Sequence, residues 1–165
     1  MILGISTDAF LTFHVIISLI GIASGLVVLY GLVNGQALGA WTAVFLATTI
    51  LTSATGFPLP PFGFDPPRAI GILSLVLLAV AVVAFYAFHL AAAWRWVYVV
   101  TAMIALYFNV FVAVIQAFGK LSFLHSLAPT QSEPPFVIAQ LVVLAAFVAL
   151  GFLAVRRFHP AIAKP

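Results

Sequence analysis

The sequence predicts an all-α integral membrane bundle of five transmembrane helices, and three observations carry that prediction. Five apolar stretches are each close to the ~20 residues that cross a ~30 Å hydrocarbon layer. Of the 165 residues, 65% are hydrophobic and only 5% charged, so almost no sequence is left over for a soluble domain. Proline clusters punctuate the apolar stretches, as expected where helices stop and restart. A transmembrane β-barrel would need short alternating segments in place of these unbroken runs. Residues 1–165 therefore read as a single membrane domain.

The first span is expected at about 9–33, below a stretch that has no basic residue and no small-residue cleavage pattern, so it is expected to be retained and not cleaved as a signal. His14, Ser18, Gly21 and Gly25 share one face of it, at i, i+4, i+7 and i+11. Gly21 and Gly25 form a small-xxx-small pair that lets a second helix approach closely, which assigns this face to protein packing. The second span, at about 38–57, opens near Trp41 and carries Thr48, Thr49, Thr52, Ser53 and Thr55 in its second half. Pro58, Pro60, Pro61, Pro66 and Pro67 end it and open the third span, at about 69–91, because proline lacks the amide that continues a helix. The fourth, at about 96–118, follows Trp94-Arg95-Trp96, the aromatic and basic composition of a headgroup boundary. Pro134 and Pro135 introduce the fifth, at about 135–157. The connection from Gly119 to Pro135 is the longest in the chain, and a long loop in so economical a sequence is a place to look for function.

Five crossings put the two ends of the chain on opposite sides. Arg95, Arg156, Arg157 and Lys164 fall on the carboxy-terminal side, against Arg68 and Lys120 on the other, where the three acids Asp8, Asp65 and Glu133 also lie. The positive-inside rule then puts the C-terminus in the cytoplasm and the N-terminus in the periplasm. The net charge of +3 gathers at the tail and suits anionic lipid headgroups; no nucleic-acid motif is present. The absence of cysteine excludes disulfides and thiolate metal sites. No Asp, Glu, Lys or Arg lies inside a span, which argues against a pump or an ion-coupled transporter.

Among the polar side chains that remain in the spans, the candidate ligand-binding residues are His14, Thr52, Thr55, Asn109, Gln116 and Gln140. His14, Thr52, Thr55, Gln116 and Gln140 come from four spans at one depth, in the outer half of the bilayer. His14, Gln116 and Gln140 are expected to face one another or a common cavity roofed by the 119–135 loop. The plainer alternative pairs each group within the bundle, with hydroxyls returning to their own helix carbonyls and carboxamides bonding across helices. His14, His125 and Glu133 are the candidate metal ligands, although no HxxxH or HExxH spacing supports them. Bis-histidine haem is excluded for His14 with His89, which lie near opposite faces; only His14 with His125, or His89 with His159, could pair, and single-histidine ligation stays open. No GxSxG, no phosphate-binding glycine loop and no depth-matched Ser/His/Asp set is present, so no catalytic residue is assigned.

The segments FHVIISLIGIASG, WTAVFLATTILTSATGF, WRWVYVVTAMIALYFNVFVAVIQAF and LAPTQSEPPF resemble a family of small multi-spanning inner-membrane proteins of proteobacteria, generally carried as uncharacterised. The resemblance implies a bacterial inner membrane and no activity. The expected function is a non-catalytic membrane subunit or interaction protein, part of a larger complex or a homo-oligomer in the lipid bilayer. The alternative is a protein that binds a quinone-like small molecule or a metal in an outer-half pocket; no cofactor is required by the first reading.

Overall fold

Residues 1–60 and 66–160 are described by a computed structural model. Among them the secondary structure is helical apart from an isolated bridge between Ile2 and Ile5. The elements are α1 (Thr7–Val33), α2 (Gly39–Gly56), α3 (Pro66–Val82) running into a π-helical turn (Val83–Ala87), α4 (Trp94–Lys120), α5 (Ser122–Leu127) and α6 (Pro134–Arg157). Four segments, α1, Pro66–Ala87, α4 and α6, are long and apolar enough to cross a membrane. The fifth expected span, α2, has 18 residues and falls short in apolarity, because it carries Thr42, Thr48, Thr49, Ser53 and two further threonines.

Each helix starts and stops for a local reason. At the start of α1, Ser6 Oγ accepts the Ala9 amide at 3.2 Å, satisfying one of the donors a helix leaves open at its N-terminus. Its far end is closed by Asn34, whose Nδ2 donates to Tyr30 O at 2.8 Å. Gly35 then turns the chain with φ +72°, and a Cβ there would stand 3.1 Å from the carbonyl oxygen of Arg157. The α1–α2 turn therefore abuts the end of α6. Pro66 and Pro67 open α3, and Pro134 and Pro135 open α6, at positions where a missing amide costs nothing.

The third span ends earlier than the hydropathy pattern suggests. The α ladder widens into the π turn at Val83–Ala87, and beyond it His89, Leu90 and Ala92 all adopt left-handed backbone at φ 47°, 60° and 48°. Residues without glycine's freedom resist that conformation by roughly 1–2 kcal/mol each. Here the turn brings Leu90 into the core and stacks Phe88 on Trp94, with ring centroids 4.0 Å apart. His89, expected at the end of the span, is an exposed residue of this turn. Trp94 and Trp96 open α4 itself.

The long helices alternate in direction. The starts of α1, α3 and α6 lie at one end, called upper here, with the ends of α2 and α4. α4 is the central helix, packing against α1, α2, α3 and α6. The core is built from Leu29, Leu32, Phe45, Leu78, Val99 and Leu106, closed at the lower end by Tyr98 and Phe158. α6 lies at the periphery, against α4 and α1, with Ala154 its one buried residue. The 119–135 connection is not a plain loop, since it contains α5. It is tied to the bundle by Gln131, whose Nε2 donates to Ile115 O at 2.9 Å.

Candidate functional site: a polar seam between α1, α2 and α4

Burial of apolar surface drives little association between helices in lipid, whose tails are as apolar as leucine; close backbone approach and interhelical hydrogen bonds do the work. Both occur along one seam. The buried residues of α2 are Thr42, Phe45, Leu46, Thr49 and Ser53, a helical repeat that points three hydroxyls into the protein. Across from it, Gly21 and Gly25 of α1 face inward. A Cβ on Gly21 would lie 3.2 Å from Thr49 Oγ1 and 3.3 Å from Thr48 Oγ1. One on Gly25 would lie 2.5 Å from Leu106 Cδ1 and 2.9 Å from Phe45 Cδ2. Only glycine leaves room there for the three helices to close.

Three interhelical hydrogen bonds mark the seam from top to bottom. His14 Nδ1 and Thr55 Oγ1 are 2.8 Å apart, with the imidazole half-buried between α1 and α2. Asn109 Nδ2 of α4 donates to Thr49 Oγ1 of α2 at 3.3 Å. Near the lower end Thr42 Oγ1 and Tyr98 OH lie 3.2 Å apart, with both side chains almost wholly buried. The same threonines also serve their own helix, Thr55 Oγ1 donating to Leu51 O at 2.7 Å and Thr52 Oγ1 to Thr48 O at 2.8 Å. Because Thr55 spends its proton on Leu51 O, its oxygen is left to accept, which makes Nδ1 of His14 the donor in that pair.

Among the described residues no hydrogen bond joins the three groups expected to converge. Gln140 on α6 donates through Nε2 to Phe111 O on α4 at 3.2 Å, leaving its Oε1 buried with no protein partner among the described residues. His14 is occupied by Thr55, one helix pair away. Gln116 is exposed and makes no side-chain hydrogen bond among the described residues. Of the six candidates, the structure ties His14 to Thr55 and Asn109 to Thr49, returns Thr52 to its own helix and gives Gln140 to the backbone of α4.

The candidate metal ligands are likewise apart. No group of three His, Cys, Asp or Glu side chains placed to hold a metal ion occurs among the described residues. His125 is exposed on α5, and the Glu133 carboxylate is used by its own loop. It accepts from Thr130 N at 3.1 Å, Thr130 Oγ1 at 2.9 Å and Ser132 N at 3.1 Å. Desolvation raises the Glu133 pKa, but these hydrogen bonds outweigh it and hold the carboxyl below its ordinary value.

Two grooves lie elsewhere. The larger, about 330 Å³, runs between α4 and α6 and is lined by Val99, Met103, Tyr107, Phe147, Gly151 and Phe152 among others, all apolar save for the Tyr107 hydroxyl. A smaller one of about 220 Å³ sits beside the π turn, between Val83 and Trp94. At the foot of the larger groove Arg95 Nη1 donates to Val155 O at 3.1 Å and to Phe158 O at 2.6 Å, satisfying carbonyls that the end of α6 leaves open.

Sequence reasoning missed Arg95, Gln131 and the Thr42–Tyr98 pair. Arg95 and Gln131 bond to backbone carbonyls, which carry no residue-specific signal. Thr42 was findable, since it lies two turns from Thr49 on the same face of α2. The chain matches no protein-family model, no curated protein and no solved structure.

Proposed function

We propose that the chain is a non-catalytic integral protein of the bacterial inner membrane, a subunit that meets a larger membrane complex or further copies of itself. In this reading all five long helices cross the bilayer, with the upper end periplasmic and the lower end cytoplasmic. α2 qualifies despite its threonines, because at ~1.5 Å per residue its 18 residues extend ~27 Å, and its hydroxyls either turn toward protein, at Thr42, Thr49 and Ser53, or donate to its own carbonyls, at Thr48, Thr52 and Thr55. One observation carries the functional part. The seam's polar side chains are used up in holding helices together, and neither groove among the described residues is lined by convergent polar groups that would fix a substrate.

Cross-linking and native mass analysis of gently solubilised membranes test this proposal. An assembly larger than one chain is expected; a strictly monomeric particle without a partner counts against it. Reporter fusions at the carboxy terminus test the orientation, and a periplasmic signal overturns it. The quinone-like alternative has less support, because His14 and Gln140 are already bonded and border neither groove. Stoichiometric quinone in an extract of the purified protein would restore it.

A further inference from the structure

The α4–α6 groove differs from an ordinary small-molecule site in two respects. Its volume is near the lower end of the ~300–1,000 Å³ range for such sites, yet it lacks the few convergent polar groups that fix a ligand's orientation. Its rim is open, since Val100, Ile104, Leu144, Val148 and Phe152 are all exposed. An occupant of this trough must be an apolar chain entering from the side. The floor is hollow because Gly151 has no side chain; a Cβ there would meet only Met103 Cε, at 3.9 Å.

The lower end of the same groove is basic. The Arg156 guanidinium lies 4.5 Å from the centroid of Phe152, which lines the groove, and is exposed. Arg95 reaches Val155 O, and Val155 is also a lining residue. No described carboxylate balances these charges: Asp8 opens α1 and Glu133 precedes α6, both at the upper end, and Asp65 falls outside the described residues. An apolar trough ending at unneutralised arginines, at the depth where a span meets the headgroups, has the two-part chemistry of one anionic phospholipid.

We infer that the α4–α6 groove is a binding site for an anionic phospholipid of the cytoplasmic leaflet. One acyl chain lies against Met103, Tyr107, Phe147 and Gly151, and the phosphate meets Arg156 beside the charge of Arg95. The inference rests on the proposed membrane orientation, but it makes a demand of its own, namely selectivity by charge and by groove shape together.

The test is native mass spectrometry of the purified, detergent-solubilised chain titrated with phosphatidylglycerol and, in parallel, phosphatidylcholine. One tightly retained phosphatidylglycerol per chain is expected, held well above phosphatidylcholine. Arg156→Gln should weaken it by about five-fold, following the ~1 kcal/mol an arginine contributes near an anionic surface. Gly151→Leu, which fills the trough without touching a charge, should abolish the tight site while circular dichroism shows unchanged helix content. Equal retention of both lipids, or retention unaffected by Gly151→Leu, overturns the site and leaves only unselective lipid around the protein. A lipid-free dimer whose interface Gly151→Leu disrupts would give the groove to a second copy and also overturn it. Failure of the membrane reading itself shows separately, as release of the chain from membranes by alkaline wash.

Discussion

α2 and α6 are both long helices in one bundle, and they are opposites. α2 is the less apolar, yet three of its five buried residues carry hydroxyls, one bonded to Asn109 and another to Tyr98. α6 is almost purely apolar over 24 residues and buries only Ala154. In water that relation would be inverted, the apolar helix lying inside. Where the surroundings are lipid, apolarity reports a helix that faces out, and polar groups report one that must face protein to find partners. Hydropathy and burial therefore run against each other in this molecule, which is itself an argument for the bilayer.

The sharpest way to break the contrast is to crowd the seam. Gly25→Leu should destabilise the protein by about 1–3 kcal/mol or more, as overpacking does, because even its Cβ would overlap Leu106 and Phe45. Thermal unfolding in detergent reads this directly, and an unchanged midpoint would mean that α1 and α4 separate without loss. Arg95→Ala should come next, at about 1.5–3 kcal/mol, the range for hydrogen bonds to a charged group. It should loosen α6 and leave α2 protected in hydrogen exchange. Thr49→Val should cost about 0.6–1.7 kcal/mol by stranding the Asn109 carboxamide. Adding Asn109→Leu should recover part of that loss, and a double-mutant cycle with no coupling would dismiss the bond.

At the small end, Val148→Ala on the open face of α6 should shift stability by less than about 0.5 kcal/mol, the usual scale for a surface site. The Glu133 loop should respond to pH alone. Its carboxyl is depressed in the folded chain, so the contribution is complete above the ordinary value of ~4.3 and fades as pH falls through the lower folded value. The protection of the Thr130 and Ser132 amides, taken relative to their intrinsic exchange rate at each pH, should fall on acidification, and Glu133→Gln should flatten that response.

The helices were legible because lipid imposes length and apolarity on every crossing, and prolines mark the joints. Helix ends were less so. The third helix stops at Ala87, short of residue 91, because a π turn and three left-handed residues intervene, and valine, alanine and phenylalanine announce neither. The candidate site was half legible. Depth put His14 and Thr55 at one level, where they bond, but depth is a single coordinate and leaves rotation about the bundle axis open. Gln116 and Gln140 share His14's level, yet one faces outward and the other faces α4. Partners that are backbone carbonyls, as for Arg95, Gln131 and Gln140, could not be read from residue types at all.

α6 is fastened to α4 at two points, Gln140 to Phe111 O near the top and Arg95 to Val155 O and Phe158 O at the bottom, with the groove between them. On the α4 side it is a beam on two supports, while α1 packs along its other flank. Such a beam bows most at mid-span, where Gly151 and the aromatic contact of Tyr107 with Phe147 offer only soft, nondirectional resistance. Among the described residues no hydrogen bond joins α4 and α6 within the groove, so their spacing there is set by apolar contact alone.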